Sequence, residues 1–334
     1  MRNTVRFLNG FFSTRLLIQL TSQKVLLPFY HTVSDNWLPH IGNLYPVRNK
    51  KLFEADLDYL CTYFRPVSMD DLFEIVSQDK PVSKPVMHLT FDDGLKEIYT
   101  IVAPLLEKKG IPATFFVNTG FIDNQDIFYR YKVSLLIDAY KKNRKFSGEI
   151  ASILHVEQQN HFEIYDALSG LTRNDLLKID QVAKILEIDF QEYLIKEQPY
   201  LNTSQVFDLL KKGYAVGSHS VDHPLFKTIP TEDQKNQVAE SFIWLKSKFN
   251  LQHYYFSFPF SDEEIGKEFF NWLYGSQNCR LSFGISGLKR DFCKYHLHRI
   301  PLEGTLRPAR DIIKAEYIYF LMKALINKND IQRT

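Results

Sequence analysis

Short runs rich in β-branched and aromatic residues alternate with helical runs along this chain, and no other feature narrows the possible folds as much. VMHLTF (86–91) reads as a strand, IYTIVAPLLEKKG (98–110) as a helix closed by Gly110, and IPATFFVN (111–118) as a second strand. Strand, helix and strand within roughly thirty residues is the span of a βαβ unit. The pattern returns later: VFDLLKKG (206–213) is helical, YAVGSH (214–219) a strand, TEDQKNQVAESFIWLKSKF (231–249) a helix starting at Thr231, and HYYFSFPF (253–260) a strand. Such alternation predicts an α/β protein whose parallel sheet has its helices outside. VLLPFY (25–30) reads as an earlier buried strand. Residues 51–64 and 69–78 read as helices, the second with Ser68 as N-cap.

Between these blocks, residues 121–200 carry helical patterns and no strong strand; KVSLLIDAY and RNDLLKIDQVAKILEI are the clearest. The expectation is one catalytic domain over 1–334, with 121–200 as a helical insertion in a βα loop and 308–334 as a C-terminal helical segment packed on the barrel. No internal repeat or low-complexity tract is visible.

Two motifs fall at predicted strand ends. LTFDDG places Asp92 and Asp93 side by side before Gly94. Adjacent carboxylates raise each other's pKa unless a cation relieves them. GSHSVDHPLF places His219 and His223 four residues apart after a strand. Two neutral imidazoles and one carboxylate make a common open zinc site. Each motif alone is also compatible with an ordinary turn. Their shared position at the C-terminal ends of parallel strands favours a site, because those ends form one face of a barrel. On this view Asp93, His219 and His223 bind a divalent metal, and Asp92 stays free as the base for water.

TFDDG together with HSVDHP resembles the polysaccharide deacetylases of carbohydrate esterase family 4. IPATFFVNTGF, GYAVGSHSVDHP and FSFPFSD are similar to segments of that family in the expected order, and LPFYHTVSD and HRIPLE resemble its exopolysaccharide-type branch. The resemblance runs from about residue 24 to 305 outside the insertion. It implies a distorted, incomplete (β/α) barrel, a divalent metal (usually zinc, Zn2+), and removal of N- or O-acetyl groups from sugars. Residue by residue it makes Asp92 the base and Asp93, His219 and His223 the ligands. The oxyanion would be met by the backbone N–H of Phe260. For the general acid it offers His31, in FYHTV, ahead of His298, in YHLHRIP. The family's third motif usually holds an arginine that pairs with the base. FSFPFSD has none, so Arg299 is the substitute expected on Asp92. Asp262 is expected to cap the following helix or to touch substrate.

The function that follows is removal of acetyl groups, N-acetyl first, from a cell-surface glycan or its lipid-linked precursor. The alternatives are an O-acetyl esterase and a catalytically silent glycan-binding protein on the same scaffold. With 41 basic and 39 acidic residues, a net charge of +2 gives no electrostatic reason for a nucleic-acid partner. No GxGxxG follows a strand and no GxSxG elbow occurs, which disfavours dinucleotide and serine-hydrolase chemistry. Three widely spaced cysteines form no disulfide framework. The first twenty residues read as a partly amphipathic helix without a cleavage site, and no run is long enough to span a bilayer. The cytoplasm is the expected location, with peripheral membrane association open.

Overall fold

The computed structural model describes residues 12–79, 82–157 and 160–333. Most of the expected N-terminal helix lies outside the described residues; α1 covers Thr14–Thr21. Eight parallel strands form one sheet: β1 (Pro28–Tyr30), β2 (Leu89–Phe91), β3 (Ala113–Val117), β4 (Ala215–Ser218), β5 (Tyr254–Ser257), β6 (Cys279–Gly284), β7 (His296–His298) and β8 (Ile300–Pro301). Their order is β7-β6-β5-β4-β3-β2-β1-β8. The two edge strands are consecutive in the chain, with only Arg299 between them. His296–His298 pairs with Ser282–Gly284, while Ile300–Pro301 pairs with Pro28–Phe29. One extended segment therefore bridges both edges and draws the sheet into a nearly closed barrel.

Thirteen α-helices occur among the described residues. After α1 come α2 (Lys50–Tyr63) and α3 (Met69–Ser77), the latter opened by a capping box between Ser68 and Asp71. The run before Gly110 is not a single α-helix. Ile98–Val102 forms a π-helical turn that continues into α4 (Ala103–Lys109). Pro104 explains this, because it donates no N–H and its ring crowds the preceding turn. Gly110 then ends α4 at φ 64°, as expected of a left-handed cap.

Two predicted strands are each split. In VLLPFY and VMHLTF the leading pairs, Val25–Leu26 and Val86–Met87, join Arg65–Pro66 in a separate three-stranded sheet, and only the later residues enter the barrel. His88 marks one break: its two ring nitrogens bond the Val67 carbonyl and the Thr114 hydroxyl, each at 2.8 Å.

From β3 the chain passes through five helices, α5 (Tyr129–Lys142), α6 (Ser147–Leu154), α7 (His161–Ser169), α8 (Leu176–Ile185) and α9 (Phe190–Glu197), before α10 (Thr203–Lys211) leads into β4. This excursion has a core of its own, with Leu136, Ile137, Ile164 and Val182 among its members. A second cluster, including Phe121, Phe128, Tyr131, Leu135 and Tyr200, joins it to the barrel mouth. α11 (Thr231–Phe249) and α12 (Lys267–Ser276) cover the later strands. α13 (Ala309–Ala324) buries Ile313, Tyr317 and Ile318 against the barrel's outer core. Among the described residues no helix is long and apolar enough to cross a membrane.

Candidate active site

Five strand ends deliver the site. Along β2, Leu89 and Phe91 face the outer core, so Thr90 and Asp92 turn inward by the two-residue period. The chain then leaves the strand through Asp93, at φ 70°, and Gly94, at φ 66°. After β4, Ser220 and His223 also adopt positive φ, 70° and 60°. The HxxxH segment is therefore a tight turn; a 3-10 turn, Phe226–Thr228, follows it, and the next α-helix begins only at Thr231. Phe260, after β5, has φ 56°. A left-handed phenylalanine is a steric outlier, and such strain gathers where a backbone must be aimed.

The turns bring Asp93, His219 and His223 together, with one ligand atom from each inside a 4.8 Å circle. Asp93 Oδ1 lies 3.3 Å from His223 Nε2 and 3.5 Å from His219 Nε2. His219 donates its Nδ1–H to the Ser257 carbonyl at 2.8 Å, which leaves Nε2 as a bare acceptor. Asp93 Oδ1 is buried and has no hydrogen-bond partner among the described residues. Its other oxygen accepts from the Tyr131 hydroxyl at 2.6 Å. Asp93 Oδ1 and His219 Nε2 are thus two acceptors that meet beside His223 Nε2. Ligands held at ~2.0–2.1 Å around a tetrahedral ion sit roughly 3.3 Å apart, so this N2O set fits a divalent cation such as zinc. The buried Nδ1 of His223 also has no partner among the described residues.

The charges agree with that fit. Burial pulls His219 down to about 4, against the pull of Asp92, so its ring is neutral at pH 7. For Asp93, burial pushes upward but the His223 and His31 rings outweigh it and hold the carboxyl well below the usual range.

Asp92 is gripped differently. Arg299 donates to both its oxygens, Nη1 to Oδ1 at 2.8 Å and Nη2 to Oδ2 at 2.7 Å. The same guanidinium donates to Thr90 Oγ1 at 3.0 Å and Ser257 Oγ at 2.6 Å. It lies over the Phe29 ring, 4.4 Å from the centroid, and is fully buried. The fork expected of Arg299 is present, and Ser257 assists it. Burial pushes Asp92 up, and Arg299 with His219 more than offsets this, so the carboxylate stays ionised.

His31, partly exposed, pairs through Nδ1 with Glu303, which also accepts from the His31 backbone N–H at 2.8 Å. Burial lowers its pKa, but Glu303 and then Asp93 outweigh that and raise it to about 10. His31, Asp92, Asp93, His219, His223 and Phe260 all line one cavity of about 370 Å3. The Phe260 N–H has no partner among the described residues. Glu303 and Tyr131 were not singled out from the sequence. Glu303 sits inside the quoted HRIPLE segment, whereas nothing near Tyr131 connects it to DDG.

His298 is elsewhere. It faces out of the barrel, bonding Asp291 through Nε2 at 3.1 Å and accepting from the Ser286 N–H at 3.3 Å. Asp262 neither caps α12, where Gly266 holds the cap position, nor lines the cavity. It pairs with His296 at 3.2 Å and with Arg333. Alternation explains both: Leu297 and Arg299 point inward, so His296 and His298 point outward.

The family model described as polysaccharide deacetylase matches residues 79–268. No curated protein matches the sequence at a significant level. Among solved structures, the Streptococcus pyogenes deacetylase PplD in complex with acetate superposes with a TM-score of 0.55 at 15% identity, over 86% of this chain and 96% of that one. IcaB from Ammonifex degensii gives 0.54 at 16%, over 88% and 96%. A de-N-acetylase from Aggregatibacter actinomycetemcomitans gives 0.52 at 12%, over 83% and 94%. Identities this low speak for the fold, and the family model speaks for more. It spans over half of the chain and takes in both aspartates, both histidines and Phe260. On that match the chain belongs to the polysaccharide deacetylase family, which places it among enzymes of carbohydrate deacetylation.

Proposed function

We propose that this protein is a divalent-metal-dependent hydrolase that removes an N-acetyl group from an amino sugar of a cell-surface glycan or of its lipid-linked precursor. The observation that carries the reading is the convergence of Asp93 Oδ1, His219 Nε2 and His223 Nε2 beside an Asp92 fixed by Arg299. Asp93, His219 and His223 would hold the ion, and their N2O donor set suits zinc. When bound, such a cation polarises a carbonyl and makes water more acidic.

The remaining work falls to the chain. Asp92, kept ionised and oriented by Arg299 and Ser257, takes the proton of the attacking water. The Phe260 N–H, turned by its left-handed backbone and free of other partners, donates to the carbonyl oxygen as charge grows there. His31 is protonated at neutral pH and is held by Glu303; it delivers a proton to the departing nitrogen. Phe29, Phe128 and Phe258 wall the cavity and limit water around these charges. A lipid-linked substrate would bring the protein to a membrane surface without a spanning helix.

The test is acetate release from a panel of N- and O-acetylated saccharides, by zinc-loaded and by chelator-treated protein. Release from N-acetyl sugars by the loaded protein alone is expected. Release confined to O-acetyl sugars would make the protein an esterase. Zinc binding with no acetate from any sugar would leave only a glycan-binding protein and end the enzymatic reading.

A further inference from the structure

The cavity that holds the proposed catalytic groups contains one further charge, Arg130, which the proposed reaction does not use. It is the only arginine or lysine among the lining residues. It is half-buried, yet it makes no ion pair among the described residues. Asp126, four residues before it, is paired with Lys132 at 3.3 Å. Its side chain hydrogen-bonds the neutral phenol of Tyr129, which leaves its charge unbalanced.

Helix stability does not account for an arginine at this position. Arg130 sits in the first turn of α5, where no acidic residue is present and Phe128 supplies no side-chain cap. A cation there opposes the helix dipole, which favours negative charge at that end. Partial burial adds a desolvation cost that a solvated surface arginine would avoid. The carboxylates deeper in the cavity do not consume its charge either: Asp92 is neutralised by Arg299, and Asp93 faces the cation site. Much of the remaining wall is apolar, with Phe29, Leu44, Phe128, Phe258, Phe260 and Ile285. In such a pocket a guanidinium without an acidic partner is suited to select the polar group accepted beside the reacting centre.

We propose that the acetylated sugar carries an oxyanion, a phosphate or a carboxylate, close to its acetyl group, and that Arg130 recognises it. This rests on the proposed deacetylase reading of the same cavity. A planar guanidinium matches both oxyanions through paired N–H donors, so the two share one recognition chemistry.

Calorimetric titration of the metal-free protein tests it without needing turnover. The probes are N-acetylglucosamine 1-phosphate, the methyl glycoside of N-acetylglucosaminuronate, and neutral methyl N-acetylglucosaminide. Wild type should bind at least one anionic sugar roughly tenfold to a hundredfold more tightly than the neutral one. The tighter of the two anions identifies the source of the charge. Arg130→Gln should bring the anionic sugars to the affinity of the neutral one, and Arg130→Lys should keep part of the preference. Equal binding of charged and neutral sugars by wild type, no binding of any sugar, or an unchanged preference in Arg130→Gln overturns the proposal. Tight anionic binding with no acetate release after zinc loading leaves Arg130 its role and sinks the deacetylase reading instead.

Discussion

His31 and His298 carry the same side chain and lie at neighbouring places in the barrel, but their surroundings assign them different work. His31 opens onto the cavity, and Glu303 supports its Nδ1. His298 has both ring nitrogens occupied, one by Asp291 and one by the Ser286 N–H, and its side chain is fully buried. A proton donor to the leaving group has to open onto the cavity, and of these two histidines only His31 lines it. Replacing His31 by Gln should lower kcat by roughly 10²–10⁴-fold with zinc content unchanged. His298→Gln should leave the rate of the folded enzyme near wild type. Steady-state kinetics with metal analysis on both variants decides it; a His31→Gln enzyme at wild-type kcat removes His31 from the mechanism.

At the scale of elements, the site depends on α5 as much as on the strands. One face of α5, with Val133, Leu136 and Ile137, packs among the excursion helices, and another, with Tyr131 and Leu135, packs at the barrel mouth. This orientation brings the Tyr131 hydroxyl to Asp93. A partner behind a ligand orients it and tunes its basicity. Tyr131→Phe should therefore weaken zinc binding by about 10–100-fold, measured by competition with a chromophoric chelator, with the far-ultraviolet circular dichroism unchanged. Unaltered affinity would show that the bond is incidental. The convergence of Asp93, His219 and His223 was legible in the sequence because DDG and HxxxH each sit where a strand ends, and strand ends share a face. Arg299 was legible only through the family resemblance, as the substitute for the arginine that FSFPFSD lacks. Tyr131 and Glu303 were not legible, since their contacts span 38 and 272 residues and leave no local periodicity. The outward turn of His298 follows from the parity of a three-residue strand, which a one-residue shift in register would reverse.

Across the whole molecule, the segment near residue 330 ties the barrel's last strands to the loop that carries Phe260. Asp330–Ile331 pairs with Arg290–Asp291, and Arg333 reaches inward from there. Its Nε donates to Asp291 at 3.0 Å, its Nη1 donates to the carbonyls of Asp262 and Ile265 at 2.9 and 3.1 Å, and its Nη2 bonds both carboxylates. Asp262 follows Phe260 by two residues, so this guanidinium fixes one end of the loop that brings Phe260 to the cavity. The cluster of Asp262, Asp291, His296 and His298 could by its atoms hold an ion, but Arg333 already supplies the positive charge. Burial pushes both carboxyls upward; His296 and Arg333 for Asp262, and His298 and Arg333 for Asp291, outweigh it and hold them below the usual range. A depressed carboxylate stabilises the fold above its unfolded pKa of ~3.9 and loses that contribution as pH falls toward the lowered value. Wild-type stability should therefore decline as the pH drops below about 4. Arg333→Met strands two buried carboxylates and should cost about 3–5 kcal/mol at pH 7. Its stability should then rise, relative to wild type, as acid protonates them. Zinc content should not change, because Asp93, His219 and His223 sit on turns after β2 and β4 that Arg333 does not touch. Urea denaturation of both proteins at pH 7 and pH 3.5 measures the difference, and equal midpoints at pH 7 would mean that the cluster is held without Arg333.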